Sequence, residues 1–94
     1  MEKITKAIID FRDKRGWKET DTPESLAKSI VIEAAELLEN FQWGKESFDK
    51  ANVRDEIADV VLYSLALAYD LGLDIETIAF DKLKKNAQKY PLKK

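Results

Sequence analysis

The chain contains no cysteine and no histidine. Without cysteine, no disulfide can reinforce the core. Without either residue, Cys/His zinc sites, Ser-His-Asp triads and Cys-His nucleophiles cannot be built within one chain. The Glu-x-x-His pairs of ferritin-like di-iron bundles are excluded as well. What remains is chemistry with oxygen ligands. No apolar run reaches the roughly 20 residues that a membrane span needs. The opening "MEKITKAIID" has no signal-peptide apolar segment, and the compartment expected from this is the cytoplasm. Three glycines and two prolines are present, and most of them stand where helices start or stop.

A chain of 94 residues is expected to form one domain over 1–94. A domain this small buries only about 60–65% of its unfolded surface, so a core shared with a second copy is expected. The net charge of −2 hides a strong asymmetry: +2 over residues 1–20, −9 over 21–76 and +5 over 77–94. An acidic middle between basic ends suits a metal and the phosphates that accompany it, although a basic tail also serves solubility alone.

The hydrophobic pattern is helical throughout, without strand-like alternation. A first helix spans Glu2 to Arg15 on the stripe Ile4, Ala7, Ile8, Phe11, with Gly16 as its stop. In "DTPES", Thr22 is the N-cap and Pro23 the first helical residue of a second helix that runs to Phe41 or Trp43. Asn52 reads as the N-cap of a third helix ending near Leu71, and Asp74 as the cap of a fourth ending near Lys89. The segment "VVLYSLALAY" is apolar nearly all round, as in a helix surrounded by protein. Helices two and three are therefore the central pair of an all-α four-helix bundle, antiparallel across a short linker.

At about 100° per residue, Ser29, Glu33, Glu36 and Asn40 collect in one arc of the second helix. Glu56, Asp59, Tyr63 and Asp70 do the same on the third. Each central helix thus carries two carboxylates one turn apart on an apolar cylinder. No Lys or Arg stands three or four positions from Glu33, Glu36, Glu56 or Asp59. Like charges at this spacing destabilise a helix, and partial burial adds a desolvation cost. Such acids raise their pKa or find a cation. Four carboxylates without nitrogen or sulfur suit Mg²⁺ or Mn²⁺. The competing reading, two solvated acidic stripes, fits one Glu pair better than two such pairs on the two most apolar helices.

Mg²⁺ held by carboxylates completes its shell with water and substrate phosphate, which points to phosphate-ester hydrolysis. Lys82, Lys85 and Lys89 in the fourth helix are available for phosphate, and aromatic residues for a base. Trp43 follows Glu36 by seven residues, about 10 Å along a continuing helix and on the same face. Tyr63 lies one turn beyond Asp59, at the other end of the cluster, and Trp17 sits in a loop after Gly16. For each aromatic, ordinary packing is the competing reading.

"EAAE" at 33–36 and "EIAD" at 56–59 are separated by nineteen residues. With "FQW" and "KYP", they resemble the MazG-like, all-α nucleoside triphosphate pyrophosphohydrolases. The flanks are similar to the small single-domain branch that includes dCTP pyrophosphatase. The resemblance runs from about Phe11 to Pro91. It implies a four-helix bundle assembled as a dimer or a dimer of dimers, with sites near subunit interfaces. It implies water attack at the α-phosphate, Mg²⁺ on Glu33, Glu36, Glu56 and Asp59, and one of these acids as the base. It also implies nucleotide contacts from Trp17, Trp43 and Tyr63, and phosphate contacts from Lys82, Asn86 and Tyr90. Ile8 stands where some members of the branch have histidine, and the linker between helices two and three is short, so the base preference stays open. Two other readings are a dUTPase-like diphosphatase of the same superfamily and a non-catalytic helical dimerisation module. Nucleic-acid binding through "KLKKNAQKYPLKK" is disfavoured, because the −9 middle repels a phosphate backbone.

Overall fold

The computed structural model describes residues 1–93, which form four helices and, among those residues, no strand. Helix α1 (Glu2–Arg15) ends at Gly16, whose φ of 67° lets its N–H reach back to the carbonyls of Arg12 and Asp13. A short 3-10 turn, Trp17–Glu19, follows where the sequence suggests a loop. It folds Trp17 under the helix it has just left: the Phe11 and Trp17 rings meet edge-on at 5.6 Å, and Arg15 stacks 3.4 Å above Phe11.

Helix α2 (Pro23–Glu39) begins as expected. Ser25 N–H donates to Thr22 Oγ1 and Thr22 N–H donates to Ser25 Oγ, a reciprocal cap. Its end is earlier than expected. Beyond Glu39 the amides of Asn40, Phe41 and Gln42 donate three residues back, not four, so the chain tightens into turns.

Helix α3 (Lys50–Asp70) starts two residues ahead of the expected Asn52 cap, because Asp49 accepts from the N–H of Ala51 at 2.9 Å. Helix α4 (Ile75–Lys89) is capped by Asp74, which takes both the N–H and the hydroxyl of Thr77.

Helices α2 and α3 form the main contact, and they run antiparallel. Early in α2, Leu26 shares a wall with Leu62 and Ala66; about two turns on, Glu33 meets Glu56 and Asp59. The small core is Leu26, Leu65, Ala66 and Ala68. Helix α1 packs on α3, and α4 packs on α3 with Glu76 also meeting the N-terminal ammonium of Met1. The assembly is open, measuring 51 × 36 × 24 Å with a radius of gyration of 16.0 Å. A compact chain of this length would have about 12 Å. Large apolar side chains stay in water on α2, such as Val31 at 68% and Leu38 at 71% exposure, and on α4, such as Phe80 and Leu83.

Candidate metal and nucleotide site

The antiparallel pairing brings the two acidic stripes face to face. Carboxylate oxygens of Glu33, Glu56 and Asp59 lie within 4.8 Å of one another, and Glu36 stands beside Glu33 one turn further along α2. Oε2 of Glu33 and Oε2 of Glu56 are both buried and have no hydrogen-bond partner. A buried acceptor left unpaired is costly, and a buried anion more so. The ion pairs among the described residues are Met1–Glu76, Arg12–Asp21, Arg12–Asp70 and Lys28–Glu24, and none reaches this cluster.

The electrostatic consequence falls mainly on Glu33. A proton shared with Glu36, then loss of water, then Glu56 and the charges of Glu36 and Asp59, push it up to about 7. Glu56 is also raised, first by desolvation and then by the neighbouring acids, against a hydrogen bond to Glu33 that lowers it. Tyr63 is raised by burial and by the charges of Glu33 and Asp59, so its hydroxyl stays protonated. Protons partly relieve the crowding, and a divalent cation would relieve it more completely. Hard oxygen donors, two of them orphaned and buried, with no nitrogen or sulfur nearby, fit Mg²⁺ or Mn²⁺ and do not fit a thiophilic metal.

Asp59 also lines a cavity of about 380 Å³ between α1 and α3, together with Phe11, Trp17, Leu62 and Tyr63. Two of the three aromatics singled out in the sequence, Trp17 and Tyr63, thus share one pocket that adjoins the acids. The third does not join them. Because α2 stops at Glu39, the helical spacing between Glu36 and Trp43 does not hold, and Trp43 is 81% exposed and outside the pocket. Lys82, Asn86 and Tyr90 sit on or just after α4, away from this cavity; Tyr90 is exposed, with Lys89 over its ring.

Two residues in this region were not singled out as site candidates. Arg12 is buried and donates through Nη1 and Nη2 to the two carboxylate oxygens of Asp70, at 2.9 and 2.7 Å. Its hydrogen bonds hold Asp70 well below the usual carboxylate range. Asp21 stands 3.6 Å from Arg12 Nη1, and both line the pocket. The signal for Arg12 was available. It lies four residues after Ile8, within the apolar stripe of α1, where a charge needs a partner.

The MazG-like family pattern matches residues 28–94. The chain is 30% identical to dCTP pyrophosphatase 1 of Rattus norvegicus and 29% identical to that of Homo sapiens, over 98% and 97% of its own length. It spans about 59% of the length of these curated relatives. A crystal structure of a pyrophosphatase from Archaeoglobus fulgidus superposes with a TM-score of 0.90 at 41% identity, covering 98% of this chain and 93% of that one. The paired acidic motifs, the helical order and these matches lead to one placement: the chain belongs to the MazG-like family.

Proposed function

We propose that residues 1–94 form a single divalent-metal-dependent nucleoside triphosphate pyrophosphohydrolase domain. It cleaves a (d)NTP to (d)NMP and pyrophosphate in cytoplasmic nucleotide-pool housekeeping. The observation that carries this reading is the pair of orphaned oxygens, Glu33 Oε2 and Glu56 Oε2, in a carboxylate cluster whose member Asp59 also walls an aromatic pocket. The family membership and the pyrophosphatase names of the similar proteins support it.

Glu33, Glu36, Glu56 and Asp59 hold the metal, Mg²⁺ or Mn²⁺. When bound, it neutralises phosphate charge and makes water a better nucleophile. The protein's own groups do the rest. The cluster positions the triphosphate so that a water oxygen faces the α-phosphorus. The new P–O bond forms as the bond from the α-phosphorus to the α,β-bridging oxygen breaks, and the pair of electrons leaves with pyrophosphate. One of the four carboxylates takes the water's proton. Trp17 and Tyr63 flank the base in the α1–α3 cavity, and Trp43 would add a contact only from outside it.

The open shape supports assembly with further copies. A second copy, in a homodimer or homotetramer, covers the exposed faces of α2 and α4. Lys82, Asn86 and Tyr90, remote from the cavity of their own chain, would then contact phosphates in the assembled form. A dUTPase-like diphosphatase and a non-catalytic dimerisation module are the alternatives. A panel of (d)NTPs with Mg²⁺, followed by pyrophosphate release, separates all three. The proposal expects pyrophosphate and monophosphate from at least one triphosphate. Preference for a deoxyuridine nucleotide supports the first alternative, and inertness towards every nucleotide supports the second.

A further inference from the structure

The α1–α3 cavity is apolar over most of its wall; its polar groups are Arg12, Asp21, Asp59, the hydroxyl of Tyr63 and the indole N–H of Trp17, which can only donate. Asp59 belongs to the metal cluster. Arg12 spends one N–H of each terminal nitrogen on Asp70, and its Nε is buried without a hydrogen-bond partner. Asp21 is different. Its nearest cation is Arg12 Nη1 at 3.6 Å, long for a hydrogen bond, and its side chain is 25% exposed. It is a carboxylate steadied by a neighbouring charge, with acceptor capacity left over, on the wall of a pocket of ligand size.

We propose that Asp21 is a specificity-determining residue: its carboxylate accepts a hydrogen bond from the exocyclic amino group of a base lodged between Trp17 and Tyr63. This rests on the nucleotide reading of the site given above. An ionised carboxylate only accepts hydrogen bonds. An amino group on the base gives it a donor, as in cytosine. Uracil has a carbonyl oxygen at the same position, so two acceptors would meet and both would stay unpaired. A site built around a hydrogen bond rejects the analogue that lacks it far better than a purely apolar pocket can. Because Asp21 keeps some contact with water, the discrimination is set by one charged hydrogen bond, about ten- to hundredfold. Arg12 is a positioning residue here: it holds Asp21 near the wall and makes no contact with the base.

The minimal comparison is dCTP against dUTP, which differ at this edge of the ring. Steady-state kcat/KM with Mg²⁺ is measured for the wild type, Asp21→Asn and Asp21→Ala. The wild type is expected to favour dCTP by about tenfold or more. Asp21→Asn, close to isosteric, can turn its NH2 towards a carbonyl, and the ratio should fall by about ten- to hundredfold through loss on dCTP and gain on dUTP. Asp21→Ala should lower the ratio through loss on dCTP alone. A ratio unchanged in both variants overturns the proposal, as does an equal loss on both nucleotides, which would make Asp21 a packing partner of Arg12. A wild type that favours dUTP overturns it too. A wild type inactive on every nucleotide defeats the proposed function itself, and the assignment of Asp21 with it.

Discussion

Arg12 and Asp70 offer the most direct test of how α1 is held on α3. The Arg12 side chain is 5% exposed and that of Asp70 17%, with two charge-assisted bonds of 2.9 and 2.7 Å between them. Breaking a buried pair from one side typically costs about 3–5 kcal/mol, because a charge is left without a partner. Two features reduce the cost here. Asp70 keeps some access to water, and Asp21 remains 3.6 Å from the guanidinium if Asp70 is lost. Arg12→Met and Asp70→Leu should therefore each destabilise by roughly 2–4 kcal/mol. The double variant replaces the pair with apolar groups of similar size and should lose less than either single change, since such exchanges are often neutral. Denaturant unfolding at one fixed protein concentration measures all three. The pH dependence has a definite sign. Arg12 depresses Asp70 in the folded state, so the stabilisation is complete above the ordinary carboxylate value of about 3.9 and is lost as pH falls through the lowered one. The gap between wild type and Arg12→Met should stay constant from pH 8 to 5 and narrow as pH falls below about 4. Single variants within about 0.5 kcal/mol of wild type, or a double variant equal to the sum of the two, would refute the reasoning.

Three further outcomes are expected. Glu33→Gln should lower kcat/KM by about 100-fold or more while leaving the fold intact. Glu33, raised to about 7, favours the folded state most at low pH and loses that contribution as pH rises through about 7; the metal-free wild type should therefore melt lower at pH 8 than at pH 5.5, and Glu33→Gln should flatten that slope in thermal scans. Trp17→Ala should weaken kcat/KM by about 10- to 100-fold, the loss of one stacked base, and Trp43→Ala by much less in the same kinetics, since only Trp17 lines the pocket; equal losses would move the base pocket to the subunit interface. Exposed Val31, Leu38, Phe80 and Leu83 predict a melting temperature that rises with protein concentration, and a stable monomer at micromolar concentration in sedimentation would contradict this.

The features readable from the sequence were those written into single helices. Thr22 and Asp74 announced their helices because a capping side chain acts within three residues of itself. The acidic stripes were readable for the same reason: 3.6-residue periodicity puts Glu33 above Glu36 and Glu56 above Asp59 whatever else the chain does. The antiparallel pairing of α2 and α3 then brings Glu33 to Glu56 and Asp59. The Asn52 cap failed because Asp49, three residues earlier, offers a stronger acceptor to the first turn. The spacing from Glu36 to Trp43 depended on α2 reaching that far, and it stops at Glu39, where turns tighter than an α-helix follow. The Arg12–Asp70 pair spans 58 positions of sequence, and no local rule connects them. Half of the signal was still visible in Arg12, a charge within the apolar stripe of α1, whereas Asp70 continued the acidic arc of α3.

The distribution of charge makes a further point about the site. Among the described residues no ion pair reaches the four acids, while the lysines that could meet a triphosphate lie on α4, which packs on α3. A triphosphate approaching this cluster brings several negative charges to several more, and at an effective dielectric of about 20 each pair 4 Å apart repels by about 4 kcal/mol. No aromatic stacking of about 1–3 kcal/mol offsets that. On the proposed reading, a nucleotide in the pocket beside the acids therefore needs positive charge beyond that of Arg12, which Asp70 already engages. Two sources are available: divalent cations on the orphaned oxygens, and the basic end of α4 from another copy. The same structure that leaves Glu33 and Glu56 without partners also leaves α2 and α4 uncovered. On the proposed function, metal binding and self-association would answer one physical deficit, and losing either should weaken nucleotide binding more than removing any one aromatic.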